Sequence, residues 1–466
     1  MLTYDLQNVE GPLYLHIYQC LKNDITEGKL QAHEKLPSKR TFANNNGIST
    51  ITIQNAYDQL ISEGYIYTVP KKGYYVSDIA KTAVPAVKAK VSYDIHVPKK
   101  DKGILYDLSY NGTDPENFPF SVWAKVSREV MSNCKTELMT PSPAQGIKEL
   151  REAIAGHLHS FRGMLVDPNQ IIVGAGTEYL YGIIVKLLGE EKTYAIENPG
   201  YKKLVKIYGE KGIECKFASM DEKGVMISQL NEVKADVAHI CPNHHFPTGL
   251  TMPASRRYDV LAWANERSER YIIEDDYDSE FRSEGRPIPT LFSIDGCEKV
   301  IYINTFSKSL TPTIRISYMV LPVHLANRFY ENMSFLACTV SNFEQYTLAH
   351  FIKQGYFEKH INRMRLFYMR QRKSVIDVIK KSALGERCSI RENDAGLHFL
   401  LKVDFNIAPR ELNQKLLKRG IKINALEDYY LDSGAHEKNL YIVNYSMLNG
   451  EKMKKILGVI EEVLNN

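Results

Sequence analysis

The chain has 466 residues, a hydrophobic fraction of 44% and a charged fraction of 24%, ordinary for a globular protein and long enough for two or more domains. Its formal net charge of +4 is too small to identify a nucleic-acid or membrane partner by charge alone. The seven cysteines are scattered, odd in number and free of Cys-x-x-Cys spacing, which predicts reduced thiols in a cytoplasmic protein, with neither a disulfide framework nor a metal site.

Residues 1–6 lack a basic region followed by an apolar run, so they do not read as a secretory signal. No stretch approaches the roughly 18 apolar residues of a membrane span. Leu13, Ile17, Leu21 and Ile25 recur at helical spacing, and Gly28 can end that helix. Leu36-Pro37-Ser38 opens a second helix with Ser38 as N-cap. In the turn Asn44-Asn45-Asn46-Gly47-Ile48, Gly47 or an asparagine can take a left-handed conformation. Ser49 caps a third helix that runs through Ile61. Its polar face carries Thr50, Gln54 and Asp58, while Ile53, Ala56, Tyr57, Leu60 and Ile61 supply apolar contacts. Gly64 stops it. Tyr65-Ile66-Tyr67-Thr68 and Gly73-Tyr74-Tyr75-Val76 form a hairpin with Pro70-Lys71-Lys72 at its tip. Residues 77–104 contain Pro85, Pro98, many alanines and several lysines without a regular period, and read as a solvated linker.

From Leu105 to the end, helical stretches alternate with short apolar strands such as Ile171-Ile172-Val173, Val237-Ala238-His239-Ile240 and Val300-Ile301-Tyr302-Ile303. This pattern predicts an α/β domain with a mainly parallel sheet covered by helices. Two strand ends carry the chemistry. Ile273-Glu274-Asp275-Asp276-Tyr277 puts carboxylates after Tyr271-Ile272-Ile273. Asn304-Thr305-Phe306-Ser307-Lys308-Ser309-Leu310 puts a lysine among small hydroxyl residues. An amine and a carboxylate at neighbouring strand ends can hold pyridoxal phosphate: the amine forms a Schiff base and the acid keeps the pyridine nitrogen protonated. Gly174-Ala175-Gly176-Thr177-Glu178 follows a strand and opens a helix, so its backbone N–H groups can receive a phosphate.

Nearly all of the first 76 residues resemble the winged helix-turn-helix of the GntR family. The resemblance rests on Leu36-Pro-Ser-Lys-Arg-Thr-Phe-Ala, on the run from Gly47 to Leu60, on Glu63-Gly-Tyr-Ile and on Lys72-Gly-Tyr-Tyr-Val. It implies double-stranded operator DNA as a partner. Thr50, Thr52 and Gln54 are placed to reach base edges in a major groove, and Lys39, Arg40, Lys71 and Lys72 to contact phosphates. Ser38 and Ser49 are counted among the DNA-contacting residues. The alternative is a small helical domain for protein contacts, since acids roughly balance bases here, with Lys71 a solvated wing residue.

From about Asp107 onward the chain resembles the fold-type I aminotransferases that use pyridoxal phosphate. Lys308 falls on their Schiff-base lysine and Arg315 on the arginine that meets the cofactor phosphate, with the hydroxyls of Thr305 and Ser307 nearby. Asp275 falls on the acid that pairs with the pyridine nitrogen, and Tyr277 on the tyrosine that bonds the phenolic oxygen. Gly176 and Thr177 fall on the phosphate loop. Tyr201, in Glu197-Asn-Pro-Gly-Tyr, falls on the aromatic that stacks on the ring, with simple packing as the alternative. Asp276 reads as a structural neighbour, one residue out of register with Asp275. His245 stands where related regulators usually carry glutamine, and whether it meets cofactor or effector is open.

A GntR-type reader (1–76), a linker (77–104) and an aminotransferase-like domain (105–466) together resemble the MocR/GabR family of transcriptional regulators. Residues 146–155, 160–163 and 360–370 agree with that family. The resemblance implies a head-to-tail homodimer. It also implies an amine or amino-acid effector that forms an external aldimine with pyridoxal phosphate on Lys308 and thereby alters DNA binding or transcription. One departure stands out. Where these aminotransferases hold the substrate carboxylate with a C-terminal arginine, this chain reads Leu440-Tyr-Ile-Val-Asn-Tyr-Ser446, with Ile442 or its neighbour in that place. An alkyl group cannot replace a bidentate guanidinium, so either Lys203 or Arg391 substitutes, or the effector is not a conventional α-amino acid. Net turnover is not expected. The competing readings are a working aminotransferase with an accessory DNA-binding domain, and a sensor of pyridoxal phosphate itself.

Overall fold

The computed structural model describes residues 2–6, 9, 11–79, 95, 97, 103–109, 112–282, 288–391, 396–405, 407–432, 434 and 437–465. Most of the predicted linker, 77–104, lies outside the described residues. Contacts divide the chain into two compact units, Met1–Pro98 and Lys99–Asn466. Among the described residues, no helix is long and apolar enough to cross a membrane.

In the first unit, helices Leu13–Thr26, Lys39–Asn46 and Thr50–Ser62 precede an antiparallel hairpin of Ile66–Val69 and Gly73–Val76. The helical spacing puts Ile17, Leu21 and Ile25 on one buried face, against Phe42, Ile53, Tyr57 and Leu60. Ser38 Oγ accepts from the Thr41 N–H at 3.2 Å, and Ser49 Oγ from the Thr52 N–H at 3.1 Å, so each helix begins with a satisfied first turn. Gly47 closes the second helix at φ 66°. The hairpin starts one residue later than the sequence pattern suggests, at Ile66. It also gains an edge: Lys35 bridges Tyr75, and the Leu36 N–H donates to the Tyr74 carbonyl.

In the second unit an eight-stranded sheet runs in the order Ile171–Gly174, Ser317–Val320, Val300–Thr305, Tyr271–Asp275, Val237–Ile240, Tyr194–Asn198, Lys216–Asp221, Gly224–Val225. The middle strands are parallel, and Ser317–Val320 is antiparallel to both neighbours. The sequence reading did not single out this reversed strand. Its connection from Val300–Thr305 holds only the short helix Phe306–Ser309, too little chain for a parallel crossover. Tyr194–Asn198 and Val300–Thr305 are buried at every position, as expected where helices cover both faces. The carboxyl ends of the parallel strands therefore share one edge of the sheet, where open α/β sheets bind ligands. A smaller antiparallel sheet, Cys388–Arg391, His398–Val403, Leu440–Asn444 and Asn424–Ala425, carries Ile442.

The cap at Ser49 yields a direct test. Ser49→Ala is expected to destabilise the first unit by about 1 kcal/mol, read as a lower urea midpoint for its unfolding transition. An unchanged midpoint would show that the cap does not hold this helix.

Candidate functional site

A cavity of about 410 Å3 lies at the carboxyl ends of the strands. Thr177, Tyr201, His245, Asp275, Tyr277, Thr305, Ser307, Lys308 and Arg315 all line it. Gly176 does not line it but packs directly against Arg315, where a Cβ would collide with the guanidinium.

Lys308 sits in the short helix that leaves the Val300–Thr305 strand. Thr305 Oγ1 caps this helix, accepting from the Ser307 N–H at 3.1 Å and from Ser317 Oγ at 2.8 Å. Its hydroxyl thus shapes the turn that presents Lys308. Burial lowers the Lys308 pKa, opposed by the charge of Asp278. A larger fraction of neutral amine is what a nucleophilic lysine requires.

Asp275 ends its strand facing the cavity. Its Oδ2 accepts from the Tyr181 hydroxyl at 2.6 Å and lies 3.4 Å from His239 Nε2. His239 Nδ1 in turn meets the Tyr208 hydroxyl at 2.8 Å. With Nε2–H turned to the carboxylate, Nδ1 accepts from Tyr208. Asp275 Oδ1 is buried and has no partner among the described residues. A bare buried carboxylate oxygen is costly, and a protonated pyridine nitrogen would satisfy it.

Asp276 points the other way, into the protein. Its Oδ2 accepts from Arg162 at 2.5 Å, Tyr302 at 2.7 Å and Ser279 at 2.8 Å, and its Oδ1 from Asn243 at 2.8 Å. Asp275 faces the cavity and Asp276 the interior because successive residues of an extended chain face opposite sides.

At the other end of the cavity, Gly176 (φ 93°) precedes the helix Thr177–Leu188. The amides of that helix start and the Arg315 guanidinium form a cradle for an anion. Arg315 lies 3.7 Å from Glu178, which also pairs with Lys203. The residues therefore fit pyridoxal phosphate: an anion cradle, an amine and an unsatisfied carboxylate oxygen border one cavity. Tyr201 remains 45% exposed, edge-on to Phe246 at 5.9 Å, so one aromatic face borders the cavity.

His245 is buried, 2.8 Å from Thr248 Oγ1 and 3.4 Å from Glu197 Oε2. Burial lowers its pKa to about 3 and raises that of Glu197 to about 8, the latter against a 2.8 Å bond from the Cys241 N–H. Burial thus disfavours the charged form of each. Sequence reasoning missed Glu197, Tyr181 and His239. For Glu197 and His239 the available signal was an acid or an imidazole inside a largely apolar strand; Tyr181, within the helix Thr177–Leu188, gave none.

Ile442 is buried, lines the cavity and packs with Leu400, Leu426 and Leu440 beside Phe246 and Tyr429. Of the two cations considered in place of the missing arginine, Lys203 lines the cavity. Arg391 does not: it is held by Glu437 through two 2.6 Å bonds. Among the described residues His244, Asp278 and His398 have the spacing of metal ligands.

In the first unit Thr50, Gln54, Arg40, Lys71 and Lys72 are exposed and Thr52 is half-buried. The Lys39 ammonium lies over the Tyr74 ring, 5.8 Å from its centroid. The Ser38 and Ser49 hydroxyls are occupied as helix caps, which gives both a structural task.

Two family descriptions match the chain: "Bacterial regulatory proteins, gntR family" over residues 13–76 and "Aminotransferase class I and II" over 105–457. The HTH-type transcriptional regulator YdeL of Bacillus subtilis is 38% identical over 90% of this chain and 89% of its own. The probable rhizopine catabolism regulatory protein MocR of Rhizobium meliloti is 28% identical over 98% and 94%, and the pyridoxine biosynthesis regulator PdxR of Corynebacterium glutamicum 29% over 95% and 93%. Among solved structures, an archaeal alanine:glyoxylate aminotransferase superposes with a TM-score of 0.68 at 23% identity, over 77% of this chain and 90% of its own. A multiple substrate aminotransferase from Thermococcus profundus gives 0.67 at 21%, over 78% and 92%. These structures share the fold.

The adjacent aspartates are expected to separate in experiment. Asp276→Ala strands Arg162 as an uncompensated buried charge and should cost about 3–5 kcal/mol of stability. Asp275→Ala should leave stability far less changed and weaken cofactor retention. Equal losses of stability in the two variants would contradict this division of labour.

Proposed function

The chain belongs to the MocR-type family of HTH transcriptional regulators, a gntR-family reader joined to an aminotransferase class I and II domain, and on that premise we propose that it couples transcription to a small amine or amino acid recognised beside Lys308. One observation carries the reading: a lysine amine and the unsatisfied Asp275 Oδ1 share a cavity in a chain that also exposes Thr50 and Gln54 on a helix.

The cofactor of the family is pyridoxal phosphate, which when bound supplies an aldehyde carbon open to an amine. In this reading Lys308 would hold that carbon and would give way to an effector's amine. Asp275 holds the pyridine nitrogen, Tyr277 the phenolic oxygen and Tyr201 the ring face. Gly176, Thr177, Ser307 and Arg315 hold the phosphate, Thr305 shapes their turn, and His245 lines the wall. Lys203 is the cation nearest to hand for an effector carboxylate, and Ile442, Phe246 and Tyr429 favour an apolar body. Without a guanidinium clamp the Cα–H bond is poorly oriented for proton abstraction by Lys308, so binding outpaces turnover.

The protein works as a cytoplasmic head-to-tail homodimer, with the reader at 1–76, the linker at 77–104 and the effector domain at 105–466. By length alone, a random-coil linker of about 28 residues would reach roughly 28 Å, which allows half-sites more than one helical turn apart. The effector changes DNA binding only insofar as it favours one of two states. A second reading, in which pyridoxal phosphate itself is the signal, draws on the likeness to the pyridoxine biosynthesis regulator.

The deciding experiment titrates the purified holo-protein with candidate amines, following absorbance and operator binding together. Both should respond over the same concentration range, and turnover with an added keto acid should stay below about 1 s⁻¹. Faster sustained turnover would make the protein an aminotransferase. A response of DNA binding to pyridoxal phosphate alone would favour the second reading. Borohydride should fix the cofactor to Lys308, and Lys308→Ala should abolish that linkage; a normal yield in the variant would refute the assignment.

DNA contacts are tested separately. Arg40→Ala should weaken binding across sequences and lower the salt slope by about 1. Gln54→Ala should instead relax preference at one or two bases, by about 1–3 kcal/mol. Absence of any sequence-specific complex would favour the protein-contact reading of the first unit.

A further inference from the structure

Beside Tyr277 the cavity wall is backed by His244, Asp278 and His398, all buried. His244 Nδ1 lies 2.9 and 3.1 Å from the two Asp278 oxygens and 3.3 Å from the Tyr277 hydroxyl. A carboxylate only accepts, so Nδ1 carries the hydrogen. With its one hydrogen toward Asp278, that nitrogen offers Tyr277 no lone pair, and the Tyr277 hydrogen is left to point elsewhere. Tyr277 lines the cavity. Burial and the neighbouring Asp278 charge hold its hydroxyl well above the usual tyrosine range, so the hydrogen stays on.

The imidazole is fixed in place. It packs against His398 at 4.5 Å between centroids, and Gly396, at φ 71°, approaches so closely that a Cβ there would collide with the ring. His398 Nε2 is spent on the Pro247 carbonyl at 3.2 Å.

We propose that Asp278 and His244 are positioning residues that act through Tyr277: they turn its hydroxyl hydrogen into the cavity, toward the phenolic oxygen of pyridoxal phosphate. The inference rests on the cofactor reading above and goes beyond it by giving Tyr277 a direction and a cause. The trio also has the spacing of a metal site, but a cation there would have to displace the hydrogen between His244 and Asp278. His244 Nε2, buried without a partner, is the one atom a cation could take without doing so, and the test therefore includes metal content. The titratable groups around His244 are Tyr277, Asp278, His245 and His398, and Lys308 feels Asp278 and His398.

Asp278→Asn keeps the shape but removes the charge that fixes the hydrogen on Nδ1. Where the ring then carries it on Nε2, Tyr277 can donate to Nδ1 instead of into the cavity. A donor on the cofactor's phenolic oxygen stabilises that oxygen's anion and loosens the proton it shares within the bound cofactor. Losing the donor should raise the pH midpoint of the holo-protein's absorbance change by about one unit, a tenfold shift. Tyr277→Phe should shift it this way. Asp278→Asn also removes a charge that Lys308 feels, in either background, so its action through Tyr277 is read as the difference between its effects with and without the Tyr277 hydroxyl. Additive shifts in the double variant overturn the proposal. Nitrogen-15 NMR of labelled histidines reads the tautomer directly in the unaltered protein, with or without cofactor. A hydrogen on Nδ1 of His244 is expected, and one on Nε2 overturns the proposal even if the cofactor reading stands. Stoichiometric zinc in the purified protein overturns it as well. Should Asp278→Asn fail to fold, the NMR result decides alone.

Discussion

The cavity depends on a carboxylate that never touches it. Asp276 is buried and accepts four hydrogen bonds, from the end of the helix Lys148–Arg162, from the neighbouring strand at Tyr302, from Ser279 and from the loop residue Asn243. Taking a charge out of water is so expensive that these partners are held tightly to it. Asn243 is tied further, accepting from Arg257, which also donates to the Pro242 and Pro289 carbonyls. The backbone on both sides of Asp276 is pinned by this arrangement. Asp275 and Tyr277, one residue away in each direction, are thereby turned toward the cavity.

Around that fixed point the cavity sorts charge by position. One end offers Arg315 and the start of a helix; the other offers the Asp275 carboxylate, backed by Tyr181, His239 and Tyr208. Between them burial disfavours the charged forms of Glu197 and His245. A ligand with a phosphate at one end and a protonated ring nitrogen at the other meets complementary groups at both. The same burial lowers the Lys308 pKa and so disfavours its ammonium form.

The apolar wall at Ile442 limits what such a site is good for. A guanidinium fixes a carboxylate in a plane and so orients the neighbouring C–H bond. Ile442 and its apolar neighbours can enclose a ligand but cannot aim it, and Lys203 is a single-point cation already shared with Glu178. A site that captures an amine without committing it to chemistry suits signalling, because occupancy itself is then the signal.

Much of this was legible along the chain because it is local. The caps Ser38 and Ser49, the turn at Gly47, the apolar strands and the placement of Lys308 and Asp275 at strand ends follow from period and turn chemistry within a few residues. The resemblance of the reader and of the larger domain to known families rests on the same short motifs. What the sequence could not determine lies in pairings between distant segments. It left Asp275 and Asp276 as alternatives, because both follow the same strand, and only the partners Arg162, Tyr302 and Asn243 decide which one turns inward. It offered Lys203 and Arg391 equally, because charge carries no address, and the fold pairs Arg391 with Glu437 away from the cavity. It passed over Ser317–Val320, Glu197, His239 and the His244–Asp278 pair, whose roles come from neighbours brought together by the order of strands in the sheet. By itself the sequence determined which residue types stand where elements begin and end. The tertiary structure decided which buried polar atoms are satisfied and which are left bare, because desolvation acts only after distant strands close over them.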